Sequence, residues 1–351
     1  MLFGAGKKAS IFGLDIGSSA VKIAELEKRR GGYHMTCFGA AGLQEDSIVD
    51  GEVLNHLAVV DSIKNLSSEL NISSKNIATS VAGASLIVKH IHLPKVNPKE
   101  MDDQVFWEAE QYIPFDMTEI SLDYEVLNES SEDDKAEILL VAAKKEFIEK
   151  RLAAIRDAGF EPDVLDIDAF ALANIFWENY EVLENTSALL VDIGASLVKI
   201  NIVTAGSTLF TRDIGIGGKD LTQEIQNKLN VSFQEAEALK IDAAASDRIP
   251  EEVMAAIGVI SENMALELRR SLDFFIASNN KFPIAKAYIC GGSSKIPGLL
   301  QVIEEMIGVP VEFLNPFLKI TFNPKIYNEE FIAAISASAA IPLGLALRNF
   351  D

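Results

Sequence analysis

Two short stretches of this sequence place an aspartate, a glycine and a serine at one tight turn between apolar runs. The first reads DIGSSAVKI from Asp15, and the second reads DIGASLVKI from Asp192. The copies differ at only two of these positions, so chance is a poor explanation for the repeat. A carboxylate at the end of a buried strand, followed by backbone amides and hydroxyl groups, suits the oxygens and counter-ions of a phosphate. We therefore interpret each copy as one half of a phosphate site.

The other side chains of each turn have separate expected roles. The glycine allows a positive φ or a close approach of the backbone, and the serine hydroxyls supply hydrogen-bond donors. A lysine on the strand that leaves the first turn can reach back to the phosphates. The expected contacts are Gly17, Ser18, Ser19 and Lys22 in the first copy and Gly194 and Ser196 in the second. Neither turn contains the GxxxxGK[ST] pattern of a P-loop.

Asp15 and Asp192 are expected to hold Mg²⁺ through water molecules. This ion keeps several of its waters and prefers carboxylates together with phosphate oxygens. Two such turns that face each other from opposite lobes would close on one nucleotide, and this explains the repeat. Asp, Gly and Ser are also ordinary turn residues, and for a single copy that simpler interpretation stays open. The second copy and the glycine pairs at 217–218 and 291–292 favour the phosphate site.

The elements that must position these turns follow from hydrophobic periodicity and from helix breakers. The predicted strands of the first half are Ile11–Leu14, Ala20–Leu26, Tyr33–Ala40, Ile77–Val81, Leu86–Leu93, Leu122–Leu127 and Ile138–Ala143. The predicted helices there are Asp50–Leu70, a helix from Asn97 that stops before Pro114, and Glu146–Ala158. The second half continues with a hairpin at Thr204–Thr208, a mainly helical stretch over Leu221–Ser278, and then a strand, a Gly-Gly turn and a helix.

Composition limits the classes of function. A length of 351 residues exceeds one comfortable core and suggests two lobes. The net charge of −21 argues against a nucleic-acid-binding surface and against direct docking on anionic lipid. Cys37 and Cys290 are far apart and form no CxxC pair, so we expect no disulfide framework. His90 and His92 share one face of a predicted strand, and without a further cluster we interpret them as surface residues.

Neither end of the sequence predicts membrane insertion. The N-terminal MLFGAGKKAS is too short and too weakly apolar for a signal peptide. Residues 331–347 form a run of 17 uncharged residues, whereas a spanning helix needs about 20 strongly apolar ones. This run is rich in Ala and Ser and contains Pro342 and Gly344. We expect it to be a buried C-terminal helix.

The order DIGSS…VK, DIGAS and then ICGGSSKIPG resembles the phosphate-1, phosphate-2 and adenosine motifs of the actin/Hsp70/sugar-kinase ATPase superfamily. The resemblance adds these nucleotide contacts: Ala195 in the second phosphate motif, Gly217 and Gly218 at a second-lobe corner, Gly291, Gly292 and Ser293 in the adenosine loop, and Glu237 with Lys240 at the ribose and base. Glu/Lys pairs three residues apart are also common on exposed helix surfaces, and that alternative stays open for Glu237 and Lys240.

Further details resemble the FtsA-like branch and, within it, the PilM family of type IV pilus assembly proteins. They are FGLDIGSSAVKIAEL, FWEAEQYIPFD, LDYEVL, ILLVAAKKEFI and the terminal PLGLALR, and the likeness covers essentially the whole chain. The resemblance implies an α/β, two-lobed actin-like ATPase fold of duplicated ribonuclease-H-like lobes with an inserted FtsA-type 1C (SHS2-like) subdomain. The implied boundaries are 1–75 and 146–188 for the first lobe (1A), closed by a C-terminal helix over 327–350, 76–145 for a β-β-α-β-β insert, and 189–326 for the second lobe (2A/2B), with 2B over about 221–284.

The resemblance also implies a function. Members of the family bind ATP or ADP with Mg²⁺ and hold the cytoplasmic N-terminal tail of PilN, a single-span membrane protein, in a groove between 1A and 1C. The chain is then expected to be a cytoplasmic scaffold, peripheral to the inner membrane through this partner and without affinity for nucleic acid. Further pilus components and self-association stay open. In the insert helix, Val105, Ala109 and Tyr112 are predicted to be buried, and Trp107 is predicted to face outward.

Hydrolysis is expected to be slow or absent. Catalytic members of the superfamily place a Glu or Gln near the connection that here reads VLDIDAFALAN, in which Asp168 is the best match. An Asp reaches less far, and capping of the following helix is its alternative role. An FtsA-like cell-division filament protein and a small-molecule kinase of the same superfamily are the alternative functions. The first ends in an amphipathic membrane-targeting helix and the second needs a further catalytic Asp, and we find neither in this sequence.

Overall fold

Three larger sheets and one two-stranded ribbon organise the described part of this α/β chain in the computed structural model. The structure describes residues 11–95, 97–129, 135–246, 248–278 and 281–350. The predictions for the first ten residues and for the centre of the acidic loop at 128–137 lie outside these ranges. We call the six-stranded sheet and its helices the first lobe, the five-stranded sheet and its helices the second lobe, and the three-stranded sheet with its helix the insert.

Strands and helices are numbered in chain order. The strands are β1 (Phe12–Ile16), β2 (Ala20–Arg29), β3 (Gly32–Gly42), β4 (Ile48–Val49), β5 (Glu52–Val53), β6 (Asn76–Val81), β7 (Leu86–Pro94), β8 (Ile120–Glu129), β9 (Lys135–Lys144), β10 (Glu161–Ile167), β11 (Ser187–Ile193), β12 (Val198–Val203), β13 (Thr208–Ile214), β14 (Ile284–Cys290), β15 (Val311–Phe313) and β16 (Thr321–Phe322). The helices are α1 (His56–Glu69), α2 (Pro98–Ala109), α3 (Lys145–Asp157), α4 (Asp168–Asn179), α5 (Gly218–Leu229), α6 (Phe233–Ala245), α7 (Glu251–Ser278), α8 (Leu299–Ile307), α9 (Glu329–Ile335) and α10 (Ala340–Leu347).

Both lobes repeat one arrangement of strands. In the first lobe, β1 pairs antiparallel with β2 and parallel with β6, within the order β10-β6-β1-β2-β3-β16. In the second lobe, β11 pairs antiparallel with β12 and parallel with β14, within the order β13-β12-β11-β14-β15. Every residue of β1 and β11 is buried, as expected for central strands covered on both faces. Each Asp-Ile-Gly turn therefore starts at the end of a central strand.

The helix predicted over Asp50–Leu70 begins later, at His56. The residues before it form the short ribbon β4-β5, whose turn uses Asp50 at a φ of 50° and Gly51 at a φ of 82°. A left-handed backbone cannot continue as a right-handed helix, so the helical pattern cannot extend back to residue 50. Asn55 caps α1 with its side chain.

The insert begins later than predicted. β6 lies between β10 and β1 in the first-lobe sheet, so the predicted start at residue 76 and the β-β-α-β-β order are wrong. Five of the six β6 residues are buried, which suits a central strand. The insert sheet has the order β7-β9-β8, and Val105 and Ala109 of α2 pack in its core. Tyr112 was predicted to be buried but is 40% exposed, and it lies beyond the end of α2 at Ala109. Trp107 is 67% exposed, as predicted.

His90 connects the insert to the second lobe. Its Nε2 lies 2.8 Å from the carbonyl oxygen of Thr208, and its Nδ1 lies 3.1 Å from Oε1 of Glu137. The interpretation of His90 as a simple surface residue is therefore wrong. The sequence does not reveal that β7 packs against the start of β13. His92 is exposed, as predicted.

Two helices replace the single C-terminal helix predicted over 327–350. α9 and α10 meet at a bend of 93°. All eight residues of α10 are buried, but Phe331 of α9 is 39% exposed. Gly13 on β1 and Gly344 on α10 permit this burial, since a Cβ at either glycine would lie within 3 Å of backbone atoms across the contact. Within the described residues, no single helix has the length and hydropathy of a membrane span, and only the bent pair reaches them together.

Candidate functional site

A cavity of about 590 Å³ lies between the two lobes, where β1 and β11 end. Sites for small molecules occupy roughly 300–1,000 Å³. Both Asp-Ile-Gly turns line the cavity. Its walls include Asp15, Gly17, Ser18, Ser19, Lys22, Asp168, Asp192, Gly194, Ala195, Ser196, Glu237, Lys240, Gly291, Gly292 and Ser293. The structure thus brings together the residues that the sequence singled out from both halves of the chain.

Each turn pairs its aspartate with a lysine on the next strand. Lys22 Nζ lies 2.7 Å from Asp15 Oδ2, and Lys199 Nζ lies 2.7 Å from Asp192 Oδ2. The strand register explains both contacts, because each lysine is directly opposite its aspartate across an antiparallel pair. The sequence analysis gave a role to Lys22 and missed Lys199. The signal was present, since both lysines occupy the same position of the repeat.

Crowding, rather than the backbone angle, explains the glycine of each turn. Neither Gly17 nor Gly194 has a positive φ, so of the two expected reasons for glycine the close approach of the backbone applies. An added Cβ would lie 3.2 Å from the Ala20 carbonyl oxygen at Gly17 and 3.0 Å from the Leu197 carbonyl oxygen at Gly194. The same carbonyls accept the glycine amides at 3.0 and 2.9 Å. These amides close the turns, so donors for a ligand must come from the later turn residues.

Gly217 and Gly218 lie directly behind the second turn, where α5 begins. The Gly218 amide donates to the Gly194 carbonyl at 3.0 Å. An added Cβ at Gly217 would lie within 3 Å of the Ala195 backbone. Only glycine allows the amino end of α5 to come this close to the turn, and a helix amino end favours anionic groups. These two glycines therefore position the turn that lines the cavity.

Glu237 and Lys240 are cavity residues and not an exposed surface pair. Lys240 Nζ lies 2.6 Å from Glu237 Oε2 and also donates to Thr222 Oγ1 at 2.8 Å and to the Gly218 carbonyl at 3.1 Å. These bonds fasten α6 to the start of α5. The alternative of surface decoration is wrong, because both side chains are held at the cavity wall by residues that are distant in sequence.

Asp168 lies in the first helical turn of α4 and contacts both lobes. Its Oδ1 accepts from the Ser80 hydroxyl at 2.5 Å, and its Oδ2 lies 2.7 Å from Lys199 Nζ. Burial raises the pKa of this carboxyl, but the charge and hydrogen bond of Lys199, together with Ser80, hold the pKa of Asp168 below its ordinary value. The alternative capping role is wrong, since Ile167 is the N-cap residue and no side chain caps α4. A carboxylate held in this way is a poor general base.

Arg151 of α3 lines the cavity and was missed by the sequence analysis. Its buried guanidinium donates to the Ile16 carbonyl at 3.0 Å and to the Gly51 carbonyl at 3.2 Å. These bonds tie the end of β1 to the β4-β5 ribbon, immediately before the first Asp-Ile-Gly turn. No sequence signal identified this arginine, because charged residues on amphipathic helices are ordinarily exposed.

Asp213 joins the second lobe to the first beside the cavity. It accepts a hydrogen bond from the Gly83 amide at 2.7 Å and lies opposite Lys199 on the neighbouring strand. Burial raises the pKa of Asp213 to about 6, although Lys199 and the Gly83 amide act in the opposite direction. This residue was also missed by the sequence analysis.

A pH dependence of stability follows from Asp213. An unfolded aspartate loses its proton near pH 3.9, whereas the folded protein keeps this proton up to about pH 6. The folded state therefore binds more protons in this window, and the contribution of Asp213 to stability falls as the pH rises from about 4 to about 6. We expect Asp213→Asn, which keeps an acceptor for the Gly83 amide, to remove this fall. The thermal midpoint of the variant, relative to that of wild type, should be higher at about pH 7 than at about pH 5. An equal difference between the two proteins at both pH values would contradict the assignment.

The aspartates of the two turns fit a hydrated Mg²⁺ ion that arrives with a phosphate ligand. Within the described residues, no group of three or more His, Cys, Asp or Glu side chains could hold a metal ion on its own. Mg²⁺ is usually bound through one or two carboxylates, several waters and substrate phosphates. Asp15 and Asp192 both line the cavity and supply such carboxylates.

Known proteins resemble this chain in sequence and in structure. The model of the family described as Type IV pilus assembly protein PilM matches residues 13–350. A solved structure described as the PilM-PilN type IV pilus biogenesis complex is similar, with a TM-score of 0.86 and 29% identity over 97% of this chain and 99% of that chain.

Two more distant proteins share the architecture. The structure of the ethanolamine utilization protein EutJ from Carboxydothermus hydrogenoformans has a TM-score of 0.56 at 17% identity, over 96% of this chain and 89% of that chain. The cell division protein FtsA of Streptococcus pneumoniae is 22% identical over 349 residues, which cover 87% of this chain and 75% of that protein. These similarities confirm the predicted α/β, two-lobed actin-like fold.

Proposed function

This chain belongs to the family of the type IV pilus assembly protein PilM, and we propose that it is a nucleotide-binding scaffold of a pilus assembly complex at the inner membrane. The observation that carries nucleotide binding is the pair of Asp-Lys turns, one from each lobe, at a single cavity. Buried ion pairs are a weak source of stability, so folding alone does not account for two of them. A ligand that carries several phosphates would account for both ion pairs.

ATP or ADP is the proposed ligand, with Mg²⁺. The later amides and hydroxyls of both turns and the Lys22 ammonium would hold the phosphates, while Glu237 and Lys240 would lie at the nucleoside. Mg²⁺, when bound, would neutralise part of the phosphate charge. Asp15 and Asp192 would orient its water molecules, which requires no direct protein cage.

Slow or absent hydrolysis is part of the proposal. Turnover by enzymes commonly lies at roughly 1–10³ s⁻¹, and it requires a group that orients or deprotonates water. Both carboxylate oxygens of Asp168 already accept bonds, from Ser80 and from Lys199. Its lowered pKa also reduces its strength as a base. Asp168 would therefore catalyse hydrolysis of the nucleotide poorly.

The proposed partner is the N-terminal tail of PilN, held in the groove between the first lobe (1A) and the insert (1C). Support comes from the solved relative that is described as a PilM-PilN complex. The insert helix α2 exposes Phe106 and Trp107, whose ring centroids lie 6.4 Å apart. Aromatic side chains are enriched at protein interfaces, and a short tail gains affinity from backbone pairing and side-chain pockets.

Liposomes that display a PilN tail peptide test this proposal. We expect them to sediment the protein, whereas bare anionic liposomes should leave it in solution because its net charge is −21. Trp107→Ala should weaken the recruitment by about 10-fold or more, as for an aromatic anchor at an interface. Leu318→Ala is the matched control, since this exposed side chain lies between β15 and β16, outside the insert. Sedimentation by bare liposomes, or equal recruitment of both variants, would count against the proposal.

The two ends of the insert lie close together. The Lys144 amide donates to the Ser85 carbonyl at 3.3 Å, so Ser85 can be joined to Lys144 without stretching the first lobe. This variant keeps β6, which belongs to the first-lobe sheet. It should lose recruitment to the tail peptide and keep nucleotide binding. A folded excision variant that still binds the peptide would place the tail elsewhere.

The proposal extends to location and to further contacts. The chain would lie in the cytoplasm and would reach the inner membrane only through its partner's tail. Further pilus components and self-association would use other exposed apolar side chains, for which Leu57 of α1 and Phe274 of α7 are candidates at 73% and 60% exposure.

A further inference from the structure

Lys199 bridges acidic groups of both lobes inside the cavity. Its Nζ lies 2.7 Å from Asp192 Oδ2 in the second lobe and 2.7 Å from Asp168 Oδ2 on α4. Lys22, its counterpart in the repeat, contacts Asp15 of its own lobe. The Lys199 side chain is 15% exposed and lines the cavity. Its ammonium is therefore accessible to a ligand that enters between the lobes.

The charge of Lys199 does not depend on a ligand. The carboxylates of Asp168 and Asp192 flank its ammonium at 2.7 Å each. A lysine ammonium is a compact cation on a flexible stem with three donors. Asp168 and Asp192 use two of these donors, and the third is left for a phosphate oxygen.

The position of Lys199 within the cavity selects one end of a nucleotide. Under the proposed function, the nucleoside lies at Glu237 and Lys240, and Lys240 is bonded to the corner behind the second turn. The phosphate chain would then extend past the two turns toward α4, where Lys199 meets Asp168. The last phosphate of a triphosphate would lie nearest to Lys199.

We propose that Lys199 is a specificity-determining residue that favours a nucleoside triphosphate over a diphosphate, by donating to the terminal phosphate while it stays bonded to Asp168 and Asp192. The inference rests on the proposed nucleotide binding and adds a residue that selects the state of the nucleotide. The contact adds a charge-assisted hydrogen bond to the terminal phosphate, so the chain supplies a cation there without help from a second protein.

Calorimetric titrations of the full chain with ATP and with ADP, each with excess Mg²⁺, test this inference. Lys199→Met should lower the affinity for ATP by about 10-fold or more and the affinity for ADP by less than about 3-fold. Lys199→Gln, which keeps a donor without charge, should behave in the same way and serves if the Met variant does not fold. Lys199→Arg, which keeps the cation, should restore most of the preference for ATP.

Two further variants separate this role from a general effect of charge. Lys22→Met should lower the affinities for ATP and for ADP by similar factors, because Lys22 contacts the first turn. Lys286→Met removes a lysine that pairs with Glu312 between β14 and β15, outside the cavity walls, and should change neither affinity. If the folded Lys199→Met and Lys199→Gln variants lose affinity for both nucleotides equally, or lose none, the inference is overturned. The proposal that the chain binds a nucleotide would not be affected by that result. A wild-type chain that binds neither nucleotide would overturn the proposed function itself.

Discussion

Replacing Gly344 by alanine is expected to destabilise the first lobe severely. An added Cβ would lie within 3 Å of both the carbonyl carbon and the carbonyl oxygen of Ala171 on α4, and neither atom can move as a flexible side chain would. All of α10 is buried, so the helix has no solvent side toward which it could shift. Overpacking of a core ordinarily costs about 1–3 kcal/mol, and a clash with backbone should reach or exceed the upper end. That is a large share of a typical stability of about 5–15 kcal/mol.

Gly258→Ala is the matched control for this prediction. Gly258 lies inside α7, and nothing lies within 4 Å of a Cβ built there. The same substitution should therefore stabilise the protein by about 0.5–1 kcal/mol through helix propensity. Urea midpoints of wild type and both variants give the comparison. A Gly344→Ala protein as stable as wild type would contradict the close packing of α10 on α4.

Gly291→Ala should abolish nucleotide binding by displacing the second turn. Gly291 has a φ of +98°, which an alanine rarely adopts. Its added Cβ would also meet the Asp192 carboxylate and the Ile193 carbonyl within 3 Å. Relief of these clashes must move the residues that we propose to hold the phosphates. We expect an affinity for ATP lower by about 100-fold or more, in a protein that still has both lobes folded.

Gly215→Ala serves as the control for Gly291→Ala, because nothing lies within 4 Å of a Cβ at Gly215. Its affinity for ATP should equal that of wild type. Circular dichroism of both variants separates a local change at the cavity from general unfolding. Wild-type affinity in a folded Gly291→Ala protein would show that the Gly291 turn does not shape the site.

Much of this cavity could be predicted because its chemistry is local in sequence. Each Asp-Ile-Gly turn is a few residues long, and its lysine is directly opposite the aspartate across one hairpin. The repeat of the motif then indicated two similar lobes before any contact was known. Lys199 was given no role although both copies of the motif contain this lysine.

The remaining features depend on contacts between distant segments. Asp168 receives a bond from Ser80, 88 residues away, and Arg151 reaches a carbonyl 135 residues away. β6 is next to the insert in sequence and was predicted to belong to it, but β6 lies between β10 and β1 in the first-lobe sheet. No local pattern encodes such pairings, so the insert boundary and the lack of a capping role for Asp168 could not be read from periodicity.

The central claim is that the two Asp-Lys turns bind one Mg²⁺-nucleotide between the lobes. The most direct measurement is a calorimetric titration of ATP with Mg²⁺ into the wild-type chain, Asp15→Ala and Asp192→Ala, followed by analysis of the nucleotide after several hours. We predict one ATP bound per wild-type chain and recovered intact, and an affinity lower by about 100-fold in each variant. No saturable binding to the wild-type chain, or an unchanged affinity in both folded variants, would contradict the account.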